Sequence, residues 1–470
     1  MQTLLRSVAL LALLAQVSSV AAGQVTLPVV AITNVTILDV ARGGRAPGQT
    51  VLIRDGRITQ TGPAQRVTVP HNARLLEGRG KFLMPGLWDM HVHAMQSSNP
   101  AVQQRVFDLF VANGVTGIRD MGSDLDSLLA IRKQLAAGVY GAAPRVVAAG
   151  PLLDGPRFRW SQTIAWHITN ADEAHRAVDS LTRVGVDFLK IYGSLPRAAF
   201  FAIADEARRV GLPIAGHIPL SVTSAEATAA GQISIEHNGM SVTDVCVDSA
   251  GPRMERALNR WTREGYAAWY AARRKYVRSR DTRRCAAHYA TLRAQGTYVV
   301  PTIVLELRDR RAITSPAFRF LDAPGRAACE NTVASIMGVP DSLRHGFVDD
   351  FLRDVREQQA AGVPMLAGTD LANACLVPGI SLHDELAALV SAGLTPRDAL
   401  VAATTAPAAF LERNDVQGRV ATGQMADLVL LDADPLLDIK NTRRIRAVIA
   451  NGRAFDRVAL DSMLARATRP

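Results

Sequence analysis

Cysteine is scarce in this chain. Four occur in 470 residues, Cys246, Cys285, Cys329 and Cys375, and no two form a C-x-x-C pair. That argues against a thiolate zinc site and against a disulfide-dense miniature scaffold. Long apolar runs are also missing. Residues 8–15 form an apolar run, but it falls short of the ~20 residues that a bilayer span needs. No internal period recurs and no tract is of low complexity, so stacked repeats are not expected. Acidic residues are the minority, 43 against 53 Lys and Arg, for a net charge of +10. A basic balance can signal nucleic-acid binding. Here the excess lies mostly in two Arg-rich stretches without interleaved aromatics, so no nucleic-acid partner is expected. An acidic substrate or an anionic surface stays open.

What is present suits a large globular enzyme. Apolar residues make up 48% of the chain, enough for a sizeable core. Arg6, the apolar run 8–15 and the small residues Ala21, Ala22 and Gly23 have the layout of a cleavable secretory signal. Residues 1–23 are therefore set apart from the fold, and a secreted or periplasmic location is expected without stable membrane insertion. No cysteine follows the small residues, so a lipid anchor is not indicated. In an oxidising compartment four cysteines permit three connectivities. Cys246–Cys285 with Cys329–Cys375 is the expected pairing, because each bridge would staple one long insertion; buried free thiols are the alternative.

Strand-like runs flank the chain at both ends. Residues 29–38 and a hairpin around Asp55-Gly56 lie at one end, and residues 426–431 and 445–453 at the other. One small β-sandwich domain, 24–81 with 419–470, is expected from the two termini. Between them, residues 82–418 alternate short apolar runs with helical patterns, the mark of repeated βα units. Strands are expected to begin near Leu87, Gly114, Arg145, Val186, Pro213, Gln232, Thr297 and Val363. Eight strands close a (β/α)8 barrel, so the fold class is α/β of the TIM type. Asn170 with Glu173 three residues later predicts a helix start, and Gly185 its end. Two long connections, 240–295 and 305–361, fall where a barrel keeps its selectivity.

The chemistry collects at the ends of the predicted strands. His91 and His93, in Met84-Pro85-Gly86-Leu87-Trp88-Asp89-Met90-His91-Val92-His93, are two apart, so on a strand both imidazoles point one way. Two neutral imidazoles so placed can hold a divalent ion; alone, such a pair is more often ordinary surface or core histidine. Lys190 ends one apolar run, His217 the next, His237 the next and Asp370 the last. Strand carboxyl ends share one face of a barrel, so all six would meet there. Tyr192, two residues beyond Lys190, shares its face and is a candidate substrate-binding residue, with simple packing as the alternative. His167, Arg157 and Arg159 fall in the loop after the third strand and could cap a pocket. His383 reads as structural, with Ser381 and Asp384 forming a cap-like S-x-x-D at its helix. His71, His175, His288 and His345 receive no role.

With these positions named, the sequence resembles the metal-dependent amidohydrolase superfamily over nearly the whole chain beyond the signal. Finer motifs resemble the branch of imidazolonepropionase-like proteins and metal-dependent prolidases or dipeptidases. They are Leu83-Met84-Pro85-Gly86-Leu87, Gly114-Val115-Thr116 with Arg119-Asp120, Ser381 through Leu386, and Asp432-Ala433-Asp434-Pro435-Leu436. The resemblance implies two divalent cations, zinc foremost. His91, His93 and Asp370 would take the more buried ion, and His217 and His237 the second. Lys190, carboxylated, would bridge them. It further implies a bridging hydroxide as nucleophile and Asp370 as the proton shuttle. The expected substrate is a small amide, a dipeptide of Xaa-Pro type or an N-acyl amino acid. A cyclic amide or a xenobiotic amide or ester is the alternative within the superfamily, and a non-catalytic barrel scaffold the alternative outside it. Association into homo-oligomers is also implied.

Overall fold

The computed structural model describes residues 28–156, 163–237, 244–247 and 265–468. The expected signal at 1–23 and the loop arginines Arg157 and Arg159 lie outside these residues. Strands β1 (Val30–Asp39), β2 (Gly44–Arg54), β3 (Arg57–Pro63), β4 (Arg74–Glu77) and β5 (Phe82–Pro85) open the fold. β6 (Leu87–Val92), β7 (Val115–Asp120), β8 (Arg145–Ala148), β9 (Leu152–Asp154) and β10 (Ala165–His167) follow. Next come β11 (Leu189–Ile191), β12 (Ile214–Gly216), β13 (Gln232–Glu236) and β14 (Tyr298–Val300). β15 (Leu428–Leu431), β16 (Ile445–Ala450) and β17 (Arg453–Asp456) complete the set.

The first five and last three strands form one eight-stranded sheet, ordered β17-β16-β15-β5-β1-β2-β3 with β4 against β1. Both ends of the chain therefore contribute to it, joined where β5 runs antiparallel to β15. The β2–β3 hairpin turns at Asp55 and Gly56, whose φ angles of 50° and 76° are those that an Asp-Gly turn accepts. Its apolar side, with Val30, Ile32, Val51, Leu428 and Ile449, makes a core of its own.

The middle of the chain is a parallel α/β arrangement. β6, β7 and β8 form one parallel sheet, and β10-β9-β11-β12-β13-β14 another. The two meet at a broken third strand. β8 pairs with β7, the chain kinks at Gly150 (φ 72°), and β9 pairs with β11. Asp187 N–H donates to Ala148 O at 3.0 Å across this junction. At the other side, residues 363–371 make only isolated bridges, Met365 to Val299 and Leu371 to Val92. The backbone still hydrogen-bonds both neighbours, Leu366 N–H to Val299 O at 3.0 Å and Asp370 N–H to His91 O at 2.8 Å. The expected eighth strand is thus an irregular segment that bridges each neighbour at single points and takes a left-handed conformation at Asp370 (φ 59°), just before its end.

The helix predicted after Asn170 spans Ala171–Val184; Asn170 Oδ1 accepts from Glu173 N–H and Gly185 closes it at φ 76°. Its large polar–apolar asymmetry buries Ala174, Ala177, Val178 and Leu181 against the sheet. The first insertion carries helices Tyr266–Arg278 and Thr282–Gln295, and the second Ala323–Met337 and Asp341–Ala360. Both expected disulfides are formed, Cys246–Cys285 and Cys329–Cys375, with Cα separations of 4.9 and 4.7 Å. The first ties the Thr282–Gln295 helix to the segment after β13. The second ties the turn after Asp370 to the Ala323–Met337 helix. Among the described residues no helix is long and apolar enough to cross a membrane.

One local expectation is corrected. Ser381 does not cap its helix: the helix begins at Ile380 behind Gly379 (φ 72°), and Ser381 Oγ accepts from Val377 N–H instead. Asp384 pairs with Arg443. The left-handed Gly379 starts the helix two residues earlier than a Ser381 cap would.

Candidate metal centre

The six polar residues lie at the carboxyl ends of strand-like segments, β6 in one parallel sheet and β11, β12 and β13 in the other, with Asp370 N–H bonded to His91 O. His91 lies in β6 and Lys190 in β11, His93, His217 and His237 directly follow β6, β12 and β13, and Asp370 lies near the end of the irregular segment that bridges Val299 and Val92. Two glycines allow the close approach. A Cβ on Gly368 would stand 2.8 Å from His91 Cβ, and one on Gly216 (φ 133°) 2.9 Å from Lys190 Cδ. His237 (φ 60°) and Asp370 (φ 59°) both hold left-handed backbone. That conformation costs an ordinary residue about 1–2 kcal/mol, and such strain collects where a site fixes a side chain.

Asp370 is the hub. Its carboxylate lies 3.4 Å from His91 Nε2, 3.3 Å from His93 Nε2 and 3.7 Å from His237 Nε2. The far nitrogen of each ring meets an acceptor. His91 Nδ1 is 2.8 Å from Glu236 Oε2, and His93 Nδ1 is 2.8 Å from Gly122 O. His237 Nδ1 is 2.9 Å from Thr302 Oγ1, whose own hydrogen goes to Pro301 O. A carboxylate, a carbonyl and an already committed hydroxyl can only accept, so Nδ1 carries the hydrogen in all three rings. The Nε2 atoms of neutral His91 and His237 therefore turn lone pairs toward the Asp370 carboxylate, which has no hydrogen to offer, whereas a second proton on His93 lets its Nε2 donate to Asp370.

The electrostatics follow from this crowding. Burial holds His91 and His217 well below the ordinary histidine range, and the Lys190 ammonium adds to the effect. Burial lowers His237 too, against the pull of Asp370. His93 is the exception: burial acts to lower it, but its contact with Asp370 wins and raises it. Burial alone would raise Asp370, yet His237, His91 and His93 together hold it far below the usual carboxylate range. Lys190 is 0% exposed, and burial brings its amine down to about 8. Its Nζ, like His91 Nε2 and His217 Nε2, is buried without a hydrogen-bond partner. One proton on His93 relieves one contact; the other lone pairs stay turned on a carboxylate. Divalent cations satisfy all of them, so the residues present fit a metal centre. His91, His93 and Asp370 present ligand atoms within 4.8 Å of one another, the span of a single ion's first coordination sphere.

The remaining candidates fall as follows. The Tyr192 ring stacks on His217 with centroids 4.2 Å apart, which places it at the edge of the cluster. His217 and His237 rings are 4.9 Å apart, and His91 and His237 rings 4.7 Å. His167 lies on β10, beside Asp154. His383 is away from the cluster, buried between Thr442 Oγ1 at 2.9 Å and Asn113 O at 3.0 Å. Sequence reasoning named Asp89 and Arg119-Asp120 within motifs but gave the groups behind the ligands no role. Asp89 clamps Thr369, next to Asp370, through two hydrogen bonds of 3.0 and 2.8 Å. Asp120 Oδ2 accepts from Ala94 and Met95 N–H and pins the turn after His93. Glu236 and Arg119 form a fully buried ion pair behind His91. Strand alternation was the available signal, since Asp89 is two residues before His91 and Ser234 two before Glu236.

Parallel βα units carrying such a cluster on their carboxyl edge define a TIM-barrel-like α/β hydrolase. Comparison with known proteins agrees and narrows the class. The model of the amidohydrolase family matches residues 82–455, and the chain belongs to that family. Its members are hydrolases that act on carbon–nitrogen bonds. The imidazolonepropionase of Chromobacterium violaceum is 24% identical over 84% of this chain and 88% of its own. Among solved structures, bottromycin amidohydrolase superposes with a TM-score of 0.70 at 24% identity, covering 94% of this chain and 90% of that one. A prolidase complexed with N-methylphosphonate-L-proline gives 0.64 at 21% identity, covering 91% of this chain and all of that one (100%).

Proposed function

We propose that this protein is a binuclear metal amidohydrolase that cleaves the amide bond of Xaa-Pro-like dipeptides or N-acyl amino acids. The observation that carries this reading is the convergence of three imidazole Nε2 atoms, more than one proton could satisfy, on the carboxylate of Asp370. His91, His93 and Asp370 would hold the inner ion and His217 and His237 the outer one, with zinc the best match to these N/O donors. When bound, the ions supply a Lewis acid for the scissile carbonyl and lower the pKa of water.

The chain's own groups then divide the work. Lys190, with its amine near pKa 8, has a neutral fraction at neutral pH that can add to carbon dioxide. The nitrogen bonds the carbon, one proton leaves, and the resulting carbamate would supply anionic oxygen donors to the ions that His91 with His93 and His217 with His237 would hold. Asp370 accepts the proton of the attacking water and returns it to the leaving nitrogen. The neighbouring histidines keep the Asp370 carboxylate ionised before the substrate arrives. Tyr192, packed on His217, offers its hydroxyl to the substrate's carbonyl or carboxylate.

The same reading takes residues 82–418 as a closed (β/α)8 barrel. It takes 24–81 with 419–470 as a β-sandwich, whose corner is β1 where it changes partner from β4 to β5. Residues 1–23 would direct secretion or periplasmic export, and two disulfides suit such a compartment. A library of dipeptides and N-acyl amino acids, presented to zinc-loaded enzyme, tests the substrate class. Turnover of a proline-terminated dipeptide or an N-acyl amino acid supports it. Turnover confined to cyclic amides or esters would overturn it.

A further inference from the structure

Behind the ligand cluster lies a pair of charges that no ligand role uses. Glu236 is 1% exposed and Arg119 0% exposed, in the middle of the parallel strands. Arg119 Nη2 reaches both Glu236 oxygens, at 2.8 and 3.0 Å. Its Nε donates to Met90 O at 2.6 Å and its Nη1 to Ser234 Oγ at 3.0 Å. The guanidinium is also packed against the rings of Phe188 and Phe410, 5.6 and 4.9 Å from their centroids. Ser234 Oγ donates to Glu236 Oε1, which leaves Oε2 for His91 Nδ1 at 2.8 Å.

Alternation along β13 would send Glu236 and His237 to opposite faces. The left-handed turn at His237 breaks that alternation, so Glu236 backs His91 while His237 faces Asp370. Holding two strands together does not require this. Replacing a buried ion pair by apolar side chains of similar volume is often neutral or stabilising, because both charges must be desolvated. The pair is therefore placed for what it does to His91.

We propose that Glu236 is a positioning residue for the metal centre, locked by Arg119 and Ser234, and that it sets the tautomer and hence the metal affinity of His91. A carboxylate can only accept, so it forces the hydrogen onto Nδ1 and leaves Nε2 bare toward Asp370. Arg119 in turn holds the carboxylate still and leaves no room for a donor in its place. The inference rests on reading the cluster as a metal centre, and it adds that one ligand is tuned by charges that never touch the ion.

Glu236→Gln is the direct test. Arg119 would claim the carboxamide oxygen, and the amide N–H₂ would then face His91 Nδ1 and push the hydrogen to Nε2. Zinc affinity, read by chelator competition on the full chain, should fall 10- to 100-fold, the range for losing such a partner. The double variant Glu236→Gln with Arg119→Met frees the amide to turn its oxygen to His91, and it should recover most of that loss. A purely structural pair predicts the opposite pattern: lowered stability with and without zinc, and an unchanged dissociation constant in both variants. The wild type supplies a readout that does not depend on a variant folding. In zinc-free protein labelled with ¹⁵N-histidine, His91 should show the Nδ1–H tautomer, and an Nε2–H tautomer there overturns the inference. If wild-type protein binds no zinc, the metal-centre reading itself fails. If it binds zinc and Glu236→Gln stays within twofold, only the positioning role fails.

Discussion

Lys190→Met should stabilise the metal-free protein and weaken the zinc-loaded one. Lys190 is fully buried, and its amine is brought from 10.5 down to about 8, chiefly by desolvation; Glu236 and Asp370 oppose the shift and Arg119 adds to it. At about 1.4 kcal/mol per unit, that displacement is worth about 3 kcal/mol. The sign is unfavourable to folding. The folded pKa lies below the unfolded one, so the folded state binds fewer protons between pH 8 and 10.5. The penalty is present in full below pH 8, fades as pH rises, and is gone above 10.5. Methionine keeps an apolar stem of similar volume and has no charge to desolvate. Metal-free Lys190→Met should therefore gain up to about 3 kcal/mol at pH 7 and lose the wild type's rise in stability toward pH 10. Zinc reverses the order. Two sites, each filled to 100 times its dissociation constant, add about 5 kcal/mol to the wild type, and the variant lacks the bridging group that both ions would share. Urea unfolding of both proteins, metal-free and zinc-loaded in bicarbonate, at pH 7 and 9.5, reads all four states. A metal-free variant no more stable than wild type at pH 7 would refute the reasoning, since Lys190 would then be well solvated or well paired.

Two further outcomes follow from the site and its supports. Asp370→Asn should leave circular dichroism unchanged, because asparagine tolerates the φ of 59° at this position, while kcat falls by roughly 10²–10⁴, the usual worth of a general acid–base group; near-normal turnover would remove the proton-shuttle role. Opening Cys329–Cys375, which closes a loop of 46 residues onto the turn after Asp370, should lower stability by about 4 kcal/mol in the chain-entropy account. An unfolding midpoint unchanged by paired alanine substitutions would show that the bridge does not constrain that turn.

Much of this could be read in the sequence for a specific reason. His91, His93, Lys190, His217, His237 and Asp370 each interrupt an apolar run at its carboxyl end, and parallel strands bring such ends together. The Asp55-Gly56 hairpin and the helix from Asn170 to Gly185 were legible because their conformations depend on local chemistry. The break of the third strand at Gly150 was not, since Gly150 and Pro151 resemble an ordinary loop until β9 pairs with β11. Nor was the irregular segment before Asp370, whose conformation is set by contacts with two neighbouring strands. The pairing of Arg119 with Glu236 stayed hidden for another reason. A buried charge is indistinguishable in sequence from an exposed one until its partner, here 117 residues away, is in view. The Ser381 cap failed because Gly379 turned the chain first.

The central claim is that two cations sit where these six side chains meet. Anomalous diffraction at the zinc edge, from crystals grown with zinc and bicarbonate, tests it most directly. The account predicts two peaks, one among His91, His93 and Asp370 and one beside His217 and His237, with continuous density from Lys190 between them. Zinc bound elsewhere, or no peak at the cluster while the protein is saturated with metal, would contradict it.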